Sequence, residues 1–157
     1  MASHEPFQAF LDAHGAVVLG FLRAMVGRID ADDCFQETFM SALRSYESLD
    51  GANPRAWVLR IARNKAIDHH RGRARRPVPR GDLPEVPAPS ESQPNPDVWE
   101  AVAALPDKQR AAVALRFASD LRFREVGMAM GISEEAARRN VHEGLRKLRE
   151  TVIKESR

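Results

Sequence analysis

The residues with the clearest potential for binding chemistry lie in "GISEEAARRNVHEGLRKL", residues 131–148. At 3.6 residues per turn, Ala137, Val141, Leu145 and Leu148 share one face of a helix. A basic set lies roughly opposite, with Glu135 among it: Arg138, Arg139, His142, Arg146 and Arg149. Arginine binds guanine edges in a bidentate manner and also holds phosphates. The pattern fits a helix lying in a DNA groove, and it equally fits a solvated helix face of mixed charge.

A second basic segment is "WVLRIARNKAIDHHRGRARR", residues 57–76. It is dense in cations: Arg60, Arg63, Lys65, Arg71, Arg73, Arg75 and Arg76. Trp57 adds an aromatic face at its N-terminal end, and a basic track beside an aromatic suits single-stranded or melted nucleic acid. The alternative interpretation places Trp57 in the core and gives the terminal arginines a role in solubility alone.

The acidic segment "DADDCFQETF", residues 30–39, raises the question of a metal site. Asp33 and Glu37 share a helix face, as two carboxylates binding Mg²⁺ would. No matching pair of ligands follows at a fixed spacing, Asp30 suits a helix N-cap, and the adjacent His69 and His70 point to different faces. We therefore expect no metal and no cofactor, and a metal-dependent nucleic-acid enzyme is the minor alternative.

Helices must position all three segments, because no strand pattern competes with the 3-and-4 spacing. The spacing predicts one helix from Phe7 to Met25, ended by Gly27, and a second from an N-cap at Asp30 to Tyr46. Further predicted helices are 54–71, capped by Asn53, 96–105, capped by Asn95, 107–118 and 123–130, and Ser133 caps the last one after the turn at Gly131. The last two form a helix-turn-helix.

Residues 77–96 hold seven of the ten prolines and almost no large apolar side chain. Such a segment cannot bury enough surface to order itself, so we expect a mobile linker between residues 1–76 and 97–157. The predicted fold is all-α, with two small helical domains joined by this Pro-rich linker. The C-terminal domain is the helix-turn-helix domain.

Charge is distributed unevenly along the chain, although its net value is only +2. Residues 1–50 have a net charge of −5, residues 51–80 of +8, residues 81–107 of −6 and residues 108–157 of +5. Two basic blocks predict two contacts with a polyanion, and the acidic first block predicts another partner. A single cysteine, Cys34, excludes an internal disulfide, and we expect it to be buried. No segment looks long enough to span a membrane or resembles a secretory signal, so we expect a cytoplasmic protein without membrane insertion.

Three stretches together resemble the bacterial extracytoplasmic-function (ECF) sigma factors. They are "DADDCFQETFMSAL", "NPRAWVLRIARNKAIDHHR" and "LPDKQRAAVALRF…FREVGMAMGISEEAARRNVHEGLRKLRE". The likeness covers both halves in order, which would be the family's regions two and four. It implies a non-enzymatic promoter-specificity subunit that binds core RNA polymerase, recognises two promoter elements and promotes DNA melting. It also implies an anti-sigma factor as the regulator.

The resemblance assigns roles to particular residues. The helix at 30–46 would dock on the clamp helices of the polymerase β′ subunit through Asp33, Gln36, Glu37 and Phe39. The loop and helix that follow would bind and melt the downstream element through Asp50, Asn53, Arg55, Trp57, Arg60, Arg63, Asn64 and Lys65. The final helix would bind the upstream element as duplex through Arg138, Arg139, His142, Arg146 and Arg149, with its domain on the β flap.

The final helix also departs from the family pattern. Relatives often have "TVKSRLHRAR" where this chain has "AARRNVHEGL". Arg139 replaces a small residue, Asn140 replaces an arginine, and Glu143 stands where a base is usual. Glu143 would weaken phosphate binding, or it would pair with Arg139 or Arg146 and orient them. The preferred upstream sequence therefore cannot be copied from relatives.

Overall fold

The computed structural model describes residues 6–49, 53–75 and 96–155, and within these residues the chain is helical with no strand. The predicted Asp50 site and the predicted linker up to residue 95 lie outside them. The helices are α1 (Phe7–Val26), α2 (Arg28–Ser45), α3 (Pro54–Arg75), α4 (Pro96–Ala103), α5 (Asp107–Phe117), α6 (Phe123–Met130) and α7 (Glu134–Glu155), with a 3₁₀ turn at Tyr46–Ser48.

The junction between α1 and α2 differs from the prediction. Gly27 has φ +85°, a conformation that glycine adopts without strain, and it turns the chain within a single residue. Helix α2 therefore begins at Arg28, and the predicted N-cap role of Asp30 is wrong. Asp30 lies in the first turn of α2, where a carboxylate favours the helix dipole. Its carboxylate is 3.3 Å from Nε2 of His69.

Two other helix starts are confirmed. The Asn53 side-chain oxygen accepts a hydrogen bond from the backbone N–H of Ala56 at 3.0 Å, immediately before Pro54 begins α3. The Ser133 hydroxyl oxygen accepts one from the N–H of Ala136 at 3.1 Å, at the start of α7. These bonds satisfy donors that have no partner inside the helix.

A single apolar cluster joins the two halves of the chain. It includes Phe21 from α1, Leu59 from α3, Leu115 from α5 and Val126 from α6, all fully or almost fully buried. Helix α6 packs along α3, and α4 and α5 contact α1. The two predicted domains are therefore packed against each other in this structure, and both basic segments contribute helices to the shared arrangement.

Helix α1 corrects one expectation from the sequence. By length and composition alone it would suffice to cross a membrane. Apolar core helices pass the same test, and α1 buries Val18, Phe21 and Leu22 completely against the other helices. This packing accounts for part of its apolar composition, because Leu11, Val17 and Leu19 are only half-buried against the core.

We expect Gly127→Ala to destabilise the helix-turn-helix. A Cβ at Gly127 would lie 2.7 Å from the backbone oxygen of Ile132 and 3.2 Å from the carbonyl carbon of Ser133, and backbone atoms cannot easily move aside. Overpacking of this kind costs about 1–3 kcal/mol. Gly20→Ala is the matched control, because a Cβ there meets nothing within 4 Å. Denaturant unfolding followed by circular dichroism should show a loss only at Gly127; equal stability of the two variants would refute this account.

Candidate nucleic-acid interface

Helix α7 presents the predicted basic face to solvent. Ala137 and Val141 are buried on its inner side, and Leu145 and Leu148 are half-buried there. The opposite side consists of exposed side chains: Arg138, Arg139, His142, Arg146 and Arg149. These side chains are accessible to a polyanion, while the buried side of α7 packs against α5 and α6.

Two of the three unusual residues of α7 turn inward or toward the helix backbone, and Arg139 is exposed. The Asn140 amide donates to the carbonyl oxygen of Ala136 at 2.9 Å, within the same helix. Half-buried Glu143 accepts a hydrogen bond from the Gln109 amide at 3.3 Å. The predicted pairing of Glu143 with Arg139 or Arg146 is therefore not what the structure shows. Glu143 links α7 to α5 instead.

An aromatic ring beside the basic face was missed by the sequence analysis. Phe123, the first residue of α6, lies 5.0 Å from Cζ of Arg138 and 5.3 Å from Cζ of Arg116. It also stacks on the His142 ring, with centroids 6.3 Å apart. Arg116 lies in α5, so its proximity to α7 depends on the packing of three helices and has no signal in the sequence.

The basic side of α3 is partly exposed and partly covered. Arg60 and Asn64 are exposed, whereas Arg55, Arg63 and Lys65 are half-buried. Trp57 is also half-buried at the edge of the core, where its ring meets that of Phe10 at 5.9 Å. Trp57 thus contributes to the core and keeps part of its surface accessible.

Helix α6 covers the N-terminal part of this basic side. The Asn53 amide donates to a carboxylate oxygen of Glu125 at 3.0 Å. That bond, with a second from the Arg122 backbone N–H, lowers the pKa of Glu125, so this carboxylate remains ionised. The Arg60 guanidinium lies beside Gly131, 3.4 Å from where a Cβ would stand there. Two of the predicted nucleic-acid residues, Asn53 and Arg60, therefore lie against the helix-turn-helix half of the chain.

The same packing leaves Arg63 in an unfavourable environment for a cation. Burial lowers the pKa of its guanidinium, the positive charge of Arg60 lowers it further, and Asp107 at the start of α5 acts in the opposite direction. Its Nε atom is buried without a hydrogen-bond partner among the described residues. If a phosphate replaced the protein groups that now surround Arg63, the guanidinium would donate hydrogen bonds to that phosphate.

A second contact between the halves is centred on Arg110 of α5, and we call it the Arg110 clasp. Its guanidinium donates to the carbonyl oxygens of Met25 at 3.4 Å and of Leu105 at 3.0 Å. It also lies 3.2 Å from Nε2 of His70, which is itself 2.9 Å from the Met25 oxygen. The arginine side chain is only 13% exposed. The clasp thus joins the ends of α1 and α3 to α5.

The outer side of α2 combines acidic and apolar side chains, and we call it the α2 surface. Asp33, Gln36 and Glu37 are exposed there. Three large apolar residues on this helix are unusually accessible: Ile29 at 75%, Met40 at 55% and Leu43 at 56%. An exposed apolar patch with a polar rim is typical of a protein-binding site.

Phe39 does not belong to the α2 surface, although the family resemblance assigns it to the docking motif. Its side chain is 6% exposed. It packs against the rings of Phe7, Phe10 and Phe35, at centroid distances of 6.3, 6.2 and 4.8 Å. Its aromatic contacts hold α2 against α1, which makes it a supporting residue for the surface.

The acidic side chains of α2 lie near a buried cysteine. Among the residues that the structure describes, no group of three or more His, Cys, Asp or Glu side chains could hold a metal ion. Cys34 is buried, and burial, followed by the nearby charges of Glu37, Asp30 and Asp33, raises the pKa of its thiol to about 11. A protonated, buried thiol is a poor nucleophile.

Comparison with protein families and curated sequences gives matches in both halves. The family model for Sigma-70 region 2 matches residues 10–76, and that for Sigma-70 region 4 matches residues 101–150. The RNA polymerase sigma factor CarQ of Myxococcus xanthus is 35% identical over 94% of this chain and 90% of its own length. The ECF RNA polymerase sigma factor SigF of Caulobacter vibrioides is 35% identical over 83% of this chain and 75% of its own length. SigE of Mycolicibacterium smegmatis is 32% identical over 81% of this chain, which spans 53% of that relative.

Two solved structures share the fold. The sigma factor RpoE of Bartonella quintana, in complex with the anti-sigma factor NepR, gives a TM-score of 0.69 at 23% identity over 92% of each chain. CnrH, in complex with the cytosolic domain of CnrY, gives 0.65 at 21% identity over 93% of this chain and 86% of its own. The all-helical architecture and the helix-turn-helix are thus shared with these proteins.

Proposed function

Because the chain belongs to the extracytoplasmic-function (ECF) sigma factors, the promoter-specificity subunits of bacterial RNA polymerase, we propose that its surfaces on α2, α3 and α7 perform separate steps of transcription initiation. Residues 1–76 dock on core polymerase and melt the downstream element, residues 77–96 are the linker, and residues 97–157 bind the upstream element. The chain acts in the cytoplasm and catalyses no reaction; the polymerase supplies the chemistry.

The observation that supports this proposal best is the coexistence of an acidic-apolar surface and two basic surfaces on separate helices. A free-standing helix-turn-helix regulator would need α7 alone. The α2 surface has the wrong charge for DNA, since Asp33 and Glu37 are exposed on it. It fits a protein partner, and we assign it to the β′ clamp helices. The helix-turn-helix half would contact the β flap.

Melting by α3 is proposed to work through differential binding. Unpairing or flipping a base costs a few kcal/mol. Stacking on an aromatic side chain contributes about 1–3 kcal/mol per base, and it is available only to a base that has left the duplex. Trp57 offers such a partly exposed ring, while Asn53, Arg55, Arg60, Arg63, Asn64, Lys65 and the preceding Asp50 complete the surface.

The packing between the halves has a direct consequence for this mechanism. In the structure Asn53 is hydrogen-bonded to Glu125 of α6, and the Arg60 guanidinium lies beside Gly131, which directly follows α6. A melted strand needs the same atoms, so α6 and the strand exclude each other. We propose that the structure represents a closed form and that the two halves separate before the downstream element is melted.

Regulation by an anti-sigma factor is part of the proposal. The sigma factor RpoE, which has the same fold, was solved in complex with the anti-sigma factor NepR. Such a partner would act here by holding the closed form or by covering the α2 surface, because either would prevent assembly of an active polymerase.

The experiment that tests the function is in vitro transcription. Purified core polymerase with this chain should produce discrete start sites on genomic DNA fragments, and core polymerase alone should not. Mapped start sites should share two upstream sequence elements at a constant spacing. Transcription without shared elements, or activity lost to removal of a metal bound by this chain, would contradict the proposal.

We expect the residues of α7 to separate into two classes. Arg138, Arg139 and His142 lie near the N-terminal end, which enters the major groove in this motif, whereas Arg146 and Arg149 lie further along. Alanine at a base-contacting arginine should cost about 1–3 kcal/mol and relax the preference at one position. Alanine at a phosphate-binding arginine should weaken all sites alike and lower the salt slope by about one unit. Selection from a randomised upstream element at two salt concentrations separates these outcomes. An unchanged preferred sequence in both Arg138→Ala and Arg139→Ala would show that specificity lies elsewhere.

A further inference from the structure

The ring of Phe123 brings together side chains from three helices. Arg138 of α7 and Arg116 of α5 have their guanidinium carbons 5.0 and 5.3 Å from its centroid. Both distances are within the roughly 6 Å at which a cation is attracted to an aromatic face. The His142 ring lies nearly parallel to it, with an interplanar angle of 28°. One half-buried aromatic residue thus contacts two of the proposed base-binding residues and an arginine outside α7.

The two arginines differ in how firmly they are held. Arg116 is half-buried and donates to the carbonyl oxygen of Leu121 at 3.2 Å, and its guanidinium also lies 5.6 Å from the Phe117 ring. Arg138 is 54% exposed and forms a long ion pair with Glu134, at 3.9 Å. The Phe123 ring is therefore the contact that does most to orient Arg138, because a solvent-exposed ion pair holds a side chain weakly.

The cluster concentrates positive charge at the edge of the basic face of α7. The guanidinium groups of Arg116 and Arg138 both lie near one ring, and their positive charges repel each other. The ring offsets part of this repulsion, and an anion would remove more of it. A DNA phosphate is the anion that lies beside a recognition helix, and arginine is among the residues that bind it.

We propose that Phe123 is a positioning residue that orients Arg138 and His142 for the bases of the upstream element, and that Arg116 binds a backbone phosphate flanking it. This inference rests on the proposed function of α7. It adds to the interface a residue of α5 and a residue of α6 that the family resemblance did not assign.

The expected size of the effect follows from the two contacts. A cation–π contact at an exposed site contributes a factor of roughly two to five in a binding constant. Phe123→Leu should therefore weaken upstream-element binding by roughly that factor and relax the preference at the base that Arg138 contacts. Phe123→Tyr keeps an aromatic face and should retain both. Arg116→Ala should weaken all sequences alike and lower the salt slope by about one unit.

The test uses the complete chain assembled with core polymerase, bound to duplexes with a randomised upstream element at two salt concentrations. Phe117→Leu is the matched control, since that ring contacts Arg116 but its side chain is 57% exposed and has no contact with Arg138. A double-mutant cycle of Phe123→Leu with Arg138→Ala measures the coupling. We expect the two effects to be less than additive, and we expect Phe117→Leu to leave the base preference unchanged.

Several results would overturn the inference. Additive effects in the cycle, or a base preference in Phe123→Leu identical to that of the unmodified chain, would show that Phe123 does not position Arg138. A salt slope unchanged in Arg116→Ala would remove the phosphate contact. If Phe123→Leu fails to fold, Phe123→Tyr with an altered preference would count against the inference in its place. If Arg138→Ala itself leaves the preference unchanged, the proposed role of α7 fails instead, which distinguishes the two failures.

Discussion

Covalent bridging of positions 70 and 110 is expected to abolish promoter melting, and release of the bridge is expected to restore it. The variant carries His70→Cys and Arg110→Cys, joined by a short thiol-reactive reagent that a reductant cleaves. Nε2 of His70 and the Arg110 guanidinium are 3.2 Å apart in the closed form, and neither residue belongs to the proposed DNA or polymerase surfaces. The bridge therefore replaces the Arg110 clasp with a covalent one.

The expected loss of promoter melting is large because a chain in the closed form cannot bind a melted strand. Apparent affinity falls in proportion to the population that is competent to bind. A covalently closed chain has almost no such population, so residual activity should equal the unbridged fraction. Without the bridge the double variant has lost the hydrogen bonds to Met25 and to Leu105. The reduced variant should thus melt a promoter at least as readily as the unmodified chain.

The measurement is fluorescence of a promoter labelled in its downstream element, before and after reductant. Each single cysteine variant, treated with the same reagent, is a control for modification without bridging. Cys34 should not react, because burial raises the pKa of its thiol to about 11. If the fully bridged chain melts the promoter as well as the reduced one, the closed form does not restrict α3, and the proposal that the halves separate is refuted.

The helices were predictable from the sequence because their signals are local. The apolar spacing and the caps Asn53 and Ser133 specify α3 and α7 through contacts of a few residues, and both caps form as expected. The start of α2 was predicted wrongly because Asp30 has the residue type of an N-cap, whereas Gly27 precedes the first helical residue. A glycine at positive φ ends one helix and begins the next, which left Asp30 inside α2.

The candidate site was only partly predictable, because its remaining features depend on distant contacts. Arg110 has no local signal that distinguishes it from other basic residues, because its partners Met25 and His70 come from the other half of the chain. Phe39 matched a docking motif, but tertiary packing buries its ring. The encounter of Arg116 with Phe123 likewise requires the fold. The spacing of residues within one helix predicts which of them share a face. What that face contacts depends on how the other helices pack.

Charge reversal on the α2 surface should cause a large loss of affinity for core polymerase. Glu37→Arg or Asp33→Arg places a cation where an acid is exposed, and like charges facing each other across an interface cost several kcal/mol. We expect affinity for core polymerase to fall by at least about tenfold at low salt, and the difference to narrow as salt screens the charges. The fold should persist, since both side chains are exposed.

Two further variants make this test specific to the α2 surface. Asp12→Arg reverses an exposed acid on α1, a different helix, and should leave assembly unchanged. Leu43→Asn removes an exposed apolar contact, so its loss of affinity should persist at high salt, because burial of apolar area is not weakened by screening. A titration of labelled core polymerase at two salt concentrations distinguishes the charge contribution from the apolar one. If Glu37→Arg and Asp12→Arg have equal affinity for core polymerase, the docking site does not lie on α2. A different partner would then have to explain the exposure of Ile29, Met40 and Leu43.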